Sequence, residues 1–469
     1  MRVLLVFFDT MRYDHASFNG YGRKTTPVLD QLAGEGAIFT SCYATDVPTQ
    51  PCYTATLTGR RGIKTGVVTH GQPEETIPSG LDSFPVVLAR NDVLTAAVST
   101  LYRFRRWFAQ GFVHYLQPDM KTWLQHVTCE AVNREAIPWL EAYGERDFFL
   151  FLHYWDPHTP YNLAPKKYVE KFYSGDPYDP SNRSLDDLRS RGLMNFFISG
   201  GAVPELSQGL TDVEYPVAQY DAEISYADEH FGDVLGVLEK KKVLDDTIII
   251  FTSDHGEALK GEHGVYFDHM DAYEQTSHVP LFVWGPNRVK RRRIESFVQH
   301  NDLAPTILEA FGVEVPESYD GKSLWPVLDG HSSGHRDFAV TNQGLWSAQR
   351  AYRTREWTLV RTYAQGMLVD SPEWELFNRE NDPSESRDVA SEAGSAFREL
   401  RGRYLEWVDK AVGAKPDPLR IEAARSSAAN EVRKLFEQWL SAQAEESRTI
   451  SPGDRAKIDN GPAQEQPPE

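Results

Sequence analysis

Short runs of apolar residues recur along the first 290 residues, and longer segments with helical periodicity separate them. A continuous apolar run of five or six residues is typical of a strand that is buried on both faces of a parallel sheet. The predicted strands are 3–8, 95–99, 148–152, 247–252 and 280–284. Helical segments between them, such as 26–36 and 222–242, predict an α/β fold with a doubly wound, mostly parallel sheet.

Polar side chains directly follow three of these predicted strands. Asp9 follows the first strand, His153 follows the third, and Asp254 with His255 follows the fourth. Ligands bind at the carboxyl ends of the strands in doubly wound sheets. The pattern therefore predicts a functional site at this edge of the sheet.

The pattern changes after residue 330, where residues that favour β-structure become frequent and a helical stretch follows. We predict a catalytic α/β domain at 1–330 and a smaller C-terminal α+β domain at 331–415. Residues 416–447 are predicted to form a helical extension that is a candidate contact for a homo-oligomer. Residues 448–469 have the composition of a disordered tail.

The 469-residue chain carries a net charge of −19, which argues against nucleic acid as a partner because phosphate binding requires a clustered basic surface. Two basic groups, at 103–106 and 290–293, are interpreted as solvated surface. The three cysteines form no disulfide framework, and the apolar N-terminal run is too short to span a membrane. These features predict a cytoplasmic protein without a membrane partner.

Four segments, taken together and in this order, resemble the sulfatase branch of the alkaline phosphatase superfamily. They are FFDTMRYDH at 7–15, PTQPCYTATLTGRR at 48–61, FFLFLHYWDPHTPY at 148–161 and FTSDHGEALKGEHGVYFDHMDAYEQTSHVPL at 251–281. The resemblance extends over residues 1–390 and implies a sulfatase-like α/β hydrolase fold with a smaller C-terminal domain.

Sulfatases carry a Cys-x-Pro-x-Arg signature whose cysteine is oxidised to formylglycine. The resemblance places Thr49 at the cysteine position, Pro51 at the proline position and Tyr53 at the arginine position. Cys52 does not restore the signature, because threonines stand where its proline and arginine would be needed. Taken alone, the stretch is also compatible with a capped surface helix. With the resemblance, we predict Thr49 as the nucleophile and expect no formylglycine.

The resemblance also implies one divalent metal ion. Asp9 and Asp254 supply oxygen ligands, His255 supplies nitrogen, and the Thr49 hydroxyl is a further ligand. Thr10 replaces a second aspartate that calcium-dependent sulfatases commonly use. The loss of one carboxylate favours Mn²⁺ or Zn²⁺, with Ca²⁺ as the alternative.

Further residues of the resemblance surround the transferred group. His269 stands at the position of a usual lysine, and His278 stands at the position of a common arginine. The predicted catalytic residues besides Thr49 are His158 and His269, and the predicted substrate-binding residues are His70, His278, Thr100 and Tyr102.

The nucleophile decides between the possible reactions. A formylglycine hydrate expels sulfate by collapsing to an aldehyde, whereas a threonine ester must be opened by water, which is routine at phosphorus. We interpret the chain as a hydrolase of small anionic esters, namely phosphodiesters or phosphonate monoesters, with a covalent Thr49 intermediate. The alternatives are a sulfatase that works without formylglycine, a phosphoryl or phosphoethanolamine transferase, and an inactive binding protein.

Overall fold

The computed structural model describes residues 1–77, 80–120, 127–368, 371–425 and 427–449. Residues 1–426 form one compact unit, and the helix that begins at Ser427 belongs to a second unit. The predicted tail at 448–469 lies outside the described residues apart from its first two positions.

Strands and helices alternate through most of the first unit. The strands of the described residues are β1 (Arg2–Phe8), β2 (Ala37–Phe39), β3 (Cys42–Tyr43), β4 (Asp46–Val47), β5 (Leu94–Val98), β6 (His114–Leu116), β7 (Phe148–Tyr154), β8 (Thr247–Thr252), β9 (Leu281–Trp284), β10 (Arg292–Ile294), β11 (Val298–Gln299), β12 (Ala339–Gln343), β13 (Ala348–Arg353), β14 (Trp357–Ala364) and β15 (Trp374–Asn378). The α-helices of the described residues are α1 (Pro27–Glu35), α2 (Thr49–Thr58), α3 (Gly62–Thr65), α4 (Phe84–Arg90), α5 (Cys129–Tyr143), α6 (Lys166–Val169), α7 (Asp186–Ser190), α8 (Gly192–Ser199), α9 (Glu214–Lys240), α10 (Glu274–Ser277), α11 (Leu303–Ala310), α12 (Trp325–Leu328), α13 (Gly394–Val412), α14 (Pro418–Arg425) and α15 (Ser427–Thr449).

The main sheet has eight strands in the order β10-β2-β9-β8-β1-β7-β5-β6. Strand β1 lies inside this sheet and pairs in parallel with β7 and β8, so its apolar run is buried. The doubly wound, mostly parallel α/β fold is confirmed. The predicted strand at 280–284 is β9, but it runs antiparallel to β8. The segment between β8 and β9 does not cross the sheet. Strand β9 therefore starts at the edge where β8 ends and runs back beside β8.

A second sheet contains five strands in the order β15-β14-β13-β12-β4. Its C-terminal strands pair antiparallel and pack on α13, with a core that contains Tyr352, Leu359, Leu400 and Tyr404. Its edge strand β4 comes from the N-terminal part of the chain and pairs in parallel with β12. Strand β4 ends two residues before α2 begins, so this sheet is tied to the segment that carries the predicted nucleophile.

Helix α15 of the second unit exposes apolar side chains, with Leu435 at 55% and Leu440 at 47% exposure. The segment 416–447, for which a helical extension is predicted, contains α14 and most of α15. Its role in a homo-oligomer stays a prediction.

No helix in the described part of the chain has the length and apolar character needed to cross a membrane.

Candidate active site

Two neighbouring strands of the main sheet bring three polar side chains together. Asp9 follows β1, while Asp254 and His255 follow β8, which pairs with β1. One ligand atom from each of the three lies within 4.8 Å of the others, and all three residues are fully buried. The convergence predicted from the strand ends is therefore present.

The free atoms of this cluster suit a divalent cation. Oδ1 of Asp9 and Oδ2 of Asp254 are buried and have no hydrogen-bond partner among the described residues. Nδ1 of His255 lies 3.0 Å from the Gly256 carbonyl oxygen, to which it donates, so Nε2 keeps its lone pair. Burial raises the pKa of Asp9, and the charge of Asp254 raises it further. A bound cation would relieve that repulsion, so these residues fit a metal ion.

Surrounding groups hold the carboxylates in place. Oδ2 of Asp9 accepts hydrogen bonds from His153 Nε2 at 3.0 Å and from the Tyr53 hydroxyl at 3.3 Å. Oδ1 of Asp254 accepts from the backbone N–H groups of Thr10 at 3.0 Å and His255 at 2.9 Å. Such outer contacts fix ligand orientation in metal sites.

Thr49 is the first residue of α2 and is almost completely buried beside the cluster. Its Oγ1 lies 3.4 Å from Nε2 of His255. The first N–H groups of a helix lack intrahelical partners and favour anions, so α2 begins where a transferred anionic group would lie.

Cys52 lies one turn further along α2 and faces other groups. Its Sγ is 3.1 Å from the Asp254 carbonyl oxygen and 3.2 Å from Nδ1 of His300. Burial raises the pKa of this thiol, which disfavours a reactive thiolate. The geometry therefore favours Thr49 over Cys52 as the nucleophile.

His269 packs beside the cluster, with its ring centroid 4.3 Å from that of His255. Its Nδ1 lies 3.1 Å from Oε2 of Glu257, and the Tyr161 hydroxyl donates to Oε1 of the same glutamate at 2.8 Å. Burial raises the pKa of Glu257 to about 8. The contact with Glu257 fixes the His269 ring and leaves its Nε2 for a substrate.

His158 and His70 complete the group of histidines. The His158 ring lies 5.5 Å from His269, and its Nδ1 donates to the Thr159 carbonyl at 2.8 Å. Burial lowers the pKa of His158 to about 3, so this ring is neutral. Burial lowers the pKa of His70 to about 3, so this ring is also neutral, and it packs 5.1 Å from the ring of Phe104.

The two predicted contacts after β5 occupy different positions. Thr100 is buried and accepts a hydrogen bond from Trp155 Nε1 at 2.7 Å, and the Trp155 ring packs 5.4 Å from His158. Thr100 thus fixes the Trp155 ring that packs against His158. Tyr102 is 43% exposed, so it is a surface residue rather than part of the buried cluster.

The prediction that His278 binds substrate requires correction. Its ring stacks between Tyr13 and Tyr43, at centroid distances of 3.9 and 4.7 Å. Nδ1 lies 2.7 Å from Oε1 of Glu274, and Nε2 lies 3.1 Å from the Thr40 carbonyl oxygen. Both ring nitrogens are therefore used within the protein, and neither is left for a substrate.

The acidic residues in the middle of the chain also have structural partners. Asp228 accepts from the first N–H groups of α1, at Val28 and Leu29. Asp221 is held by His15, Tyr21 and Arg23. The metal-ligand cluster found among the described residues is Asp9, Asp254 and His255.

Sequence reasoning did not assign roles to four residues that the structure brings to the site. His153 and Tyr53 contact Asp9, Glu257 contacts His269, and Gln50 accepts the backbone N–H of Gly71, next to His70. The position of His153 after a strand run was a usable signal. The contacts of Tyr53, Glu257 and Gln50 join residues whose spacing in sequence matches neither helical nor strand periodicity, so the sequence pattern did not indicate them.

The doubly wound sheet carries a buried cluster of potential metal ligands at its edge, and the family model that matches this part of the chain is that of a class of hydrolases, the sulfatases. The sulfatase family model matches residues 2–313, and the model of the C-terminal region of N-sulphoglucosamine sulphohydrolase matches residues 261–403. The chain belongs to the sulfatase family. Members of this family are metal-dependent, in agreement with the cluster of potential ligands.

Similar proteins include both sulfuric and phosphonic ester hydrolases. N-acetylglucosamine-6-O-sulfatase of Bacteroides thetaiotaomicron is 26% identical over 481 residues, which cover 84% of each chain. The structure of BT4656 in complex with its substrate D-glucosamine-2-N,6-O-disulfate has a TM-score of 0.73 at 21% identity and covers 89% of this chain and 99% of that chain. Phosphonate monoester hydrolase of Agrobacterium radiobacter has a TM-score of 0.69 at 20% identity and covers 87% and 96%. At identities of 21% and 20%, these two structures show that the fold is shared and do not by themselves show a shared activity.

Proposed function

We propose that this protein is a metal-dependent hydrolase of monoanionic esters with Thr49 as the nucleophile, and that sulfate monoesters are its first substrate class. The observation that carries this proposal is the position of Thr49 Oγ1, 3.4 Å from His255 Nε2 at the buried cluster. The sulfate preference is supported by family membership and by the sulfatases among the similar proteins.

The charge of the site supports a monoanionic substrate. Tyr53 and His269 stand where the family has an arginine and a lysine, and the structure directs Tyr53 toward Asp9. A phosphate monoester is largely dianionic near neutral pH because its second pKa is about 6. Sulfate monoesters, phosphodiesters and phosphonate monoesters carry one charge, which one metal ion and the neutral rings of His70 and His158 can accommodate.

Six residues of the candidate active site have roles in the proposed reaction. Asp9, Asp254 and His255 would hold the metal ion, which would stabilise negative charge on nearby oxygens. The Thr49 hydroxyl gives its proton to water, and Oγ forms a bond to sulfur while the bond from sulfur to the alcohol oxygen breaks. The α2 N–H groups stabilise the anion. His269, oriented by Glu257, gives a proton to the departing oxygen. Water then attacks sulfur, and the bond from sulfur to Thr49 Oγ breaks. One proton of the water goes to Thr49 Oγ and the other to His269, and sulfate is released.

We propose Mn²⁺ or Zn²⁺ as the metal ion, in preference to Ca²⁺. The cluster offers two carboxylates and one imidazole, and calcium prefers a larger set of oxygen ligands.

Phosphonate monoesters and phosphodiesters are the second candidate substrates. A threonine ester lacks the collapse to an aldehyde that formylglycine offers, and attack of water on such an ester is routine at phosphorus. The fold shared with phosphonate monoester hydrolases is compatible with this candidate.

A panel of nitrophenyl esters tests the proposal. The purified protein is assayed with the sulfate, a phosphonate monoester, a phosphodiester and the phosphate monoester, with Thr49→Ala as the control. We expect the highest kcat/KM for the sulfate and the lowest for the phosphate monoester. A higher value for the phosphonate or the diester selects the second candidate, and a preference for the phosphate monoester contradicts the charge argument.

A further inference from the structure

A row of buried polar side chains crosses the second sheet toward the predicted nucleophile. The strand registers place Asp46 of β4 opposite Asn342 of β12, and Asn342 opposite Arg350 of β13. Asp417, directly before α14, extends the row beyond the sheet. We call these four residues the polar row. Each is at most 6% exposed, so the row lies inside the protein.

Hydrogen bonds join the members of the polar row one after another. Nη1 and Nη2 of Arg350 donate to Oδ2 and Oδ1 of Asp417, at 2.7 and 2.9 Å. Nε of Arg350 donates to Oδ1 of Asn342 at 2.6 Å. Nδ2 of Asn342 donates to Oδ1 of Asp46, also at 2.6 Å. The bidentate contact with Asp417 fixes the direction of the guanidinium group.

The donors and acceptors also decide which way the Asn342 amide points. Arginine only donates, so Asn342 turns its oxygen toward Arg350, and its NH2 group is left for Asp46. Asp417 therefore acts on Asp46 through two other residues, because it orients Arg350 and Arg350 orients the amide. Without the guanidinium group, the amide would be free to rotate, and its bond to Asp46 would no longer be specified.

Asp46 connects the polar row to both ends of α2. Thr49, the first residue of α2, follows Asp46 closely in the chain. Oδ2 of Asp46 accepts the backbone N–H of Gly62, the first residue of α3, at 2.9 Å. A Cβ atom at Gly62 would lie 2.4 Å from Oδ1 of Asp46, so this close approach requires glycine. One carboxyl group thus links the segment before α2 to the segment after it, and its position determines where the helix begins.

The backbone contacts between β4 and β12 are limited, which gives the side-chain contact more weight. Strand β4 has two residues. The N–H groups of Asn342 and Gly344 donate to the carbonyl oxygens of Thr45 and Val47, and both distances are 3.3 Å. The bond from the Asn342 side chain to Asp46 is shorter, at 2.6 Å. The attachment of β4 therefore depends on the polar row as well as on strand pairing.

We propose that Asp417 and Arg350 are positioning residues for Thr49. Through the rest of the polar row they hold the start of α2, so that the Thr49 hydroxyl stays at the metal-ligand cluster, 3.4 Å from Nε2 of His255. Displacement of a reacting group by about 1 Å can lower a rate about 100-fold. Asp417 lies beyond the residues that either family model matches. The inference rests on the proposed function, because it takes Thr49 as the nucleophile.

Three variants and a control test the proposal. Asp417→Asn removes the charge but keeps a cap for α14, since asparagine caps a helix as well as aspartate does. Arg350→Lys keeps the charge and loses the planar fork that binds two partners at once. The double variant Arg350→Met/Asp417→Leu replaces the ion pair by apolar groups, which often preserves stability. Asp228→Asn is the matched control, because it removes the charge of another buried aspartate, whose partners belong to α1.

Kinetics are measured with the nitrophenyl ester that the wild type hydrolyses fastest, and urea unfolding and metal content are determined for each protein. We expect the three variants to have a kcat about 10- to 100-fold lower at unchanged metal content, with a KM that changes less than about 3-fold. Hydrogen exchange of the peptide that contains α2, measured by mass spectrometry, should be faster than in the wild type. The control should be less stable, with unchanged kcat and unchanged exchange of this peptide.

A double variant with the kcat of the wild type overturns the proposal, and so does a loss of stability in the single variants without a change in the kcat of the folded protein. A fall in kcat that an equal loss of metal accompanies also overturns it. If a single variant does not fold, the double variant gives the comparison. Absence of turnover by the wild type with every ester overturns the proposed function instead. Faster exchange of α2 in the polar-row variants than in Asp228→Asn would then still support the positioning role, and equal exchange would overturn it.

Discussion

Oε2 of Glu257 lies 3.1 Å from Nδ1 of His269, while Oε1 of the same carboxylate accepts the Tyr161 hydroxyl at 2.8 Å. The glutamate therefore joins a histidine of the site to a buried tyrosine. This arrangement fixes the direction of the imidazole, as carboxylates do for ligating and catalytic histidines elsewhere.

Glu257→Gln is expected to lower kcat by about 10- to 100-fold, because His269 loses its orienting partner. The loss should grow as the leaving group becomes a poorer one, since a proton donor matters most for a strongly basic departing oxygen. Rates with a series of aryl sulfates of different phenol pKa measure this. Tyr161→Phe keeps the glutamate and should cost less. A loss that is equal for all leaving groups contradicts the role of His269 as proton donor.

Thr49→Ala should remove nearly all turnover, by at least about 1,000-fold, because the reaction loses its nucleophile. Cys52→Ala is the matched control in the same helix and should keep most of the activity. Mass spectrometry of the peptide that contains both residues should show an unmodified chain. Formylglycine at Cys52, or an inactive Cys52→Ala protein, would show that the nucleophile has been assigned to the wrong residue.

Asp254→Asn and His255→Ala should reduce metal content and activity together, since each removes a proposed ligand. Metal analysis of the purified proteins and kinetics after chelation measure both quantities. We expect Mn²⁺ or Zn²⁺ to restore the chelated enzyme better than Ca²⁺. Asp228→Asn is the control, because this buried aspartate binds the α1 N–H groups and should affect stability without changing metal content. A clear preference for Ca²⁺ would contradict the choice of metal.

His278→Ala should lower the free energy of unfolding by about 2 to 3 kcal/mol, because a stacked ring and a charged hydrogen bond to Glu274 are lost. Its KM for the nitrophenyl sulfate should change less than about 3-fold, in contrast to His269→Ala. Urea unfolding and steady-state kinetics separate these effects. A large increase in KM without loss of stability would return His278 to the list of substrate contacts.

The same contact predicts a pH dependence of stability. Burial raises the pKa of Glu274, but the charges of His278, Arg379 and Arg353 outweigh burial and hold it below the usual range. A lowered folded-state pKa stabilises the protein above the unfolded value of about 4.3, and this contribution disappears as the pH falls through the folded-state pKa. Glu274→Gln should therefore differ most from the wild type near pH 7 and progressively less below about pH 4. A difference that grows toward acid would contradict this assignment.

The main sheet and the metal-ligand cluster could be predicted because they depend on local patterns. The apolar run of β1 and Asp9 directly after it are adjacent in sequence, as are β8 and the Asp254-His255 pair. Parallel pairing of the two strands then brings their ends together without further information. The direction of β9 was not accessible in this way, because an apolar run has no direction.

The surroundings of the site could be predicted less well. His278 was assigned from its position in a motif, but its environment is made by Tyr13 and Tyr43, which lie more than 200 residues away in sequence. Glu257 follows a metal ligand by two residues in a turn, where no periodicity indicates the direction of a side chain. These contacts depend on long-range packing, and the amino-acid types allow many partners.

Strand β4 has a consequence for how the protein is made. Asp46 and Val47 pair with Asn342 and Gln343 of β12, almost 300 residues later in the chain, and Thr49 follows directly after them. During synthesis, β4 therefore has no strand partner until β12 has left the ribosome. A chain that stops at residue 330 would contain all the proposed metal ligands and Thr49, yet the strand that leads to Thr49 would have an open edge. The active centre is thus completed late, by the part of the chain that contributes none of its ligands.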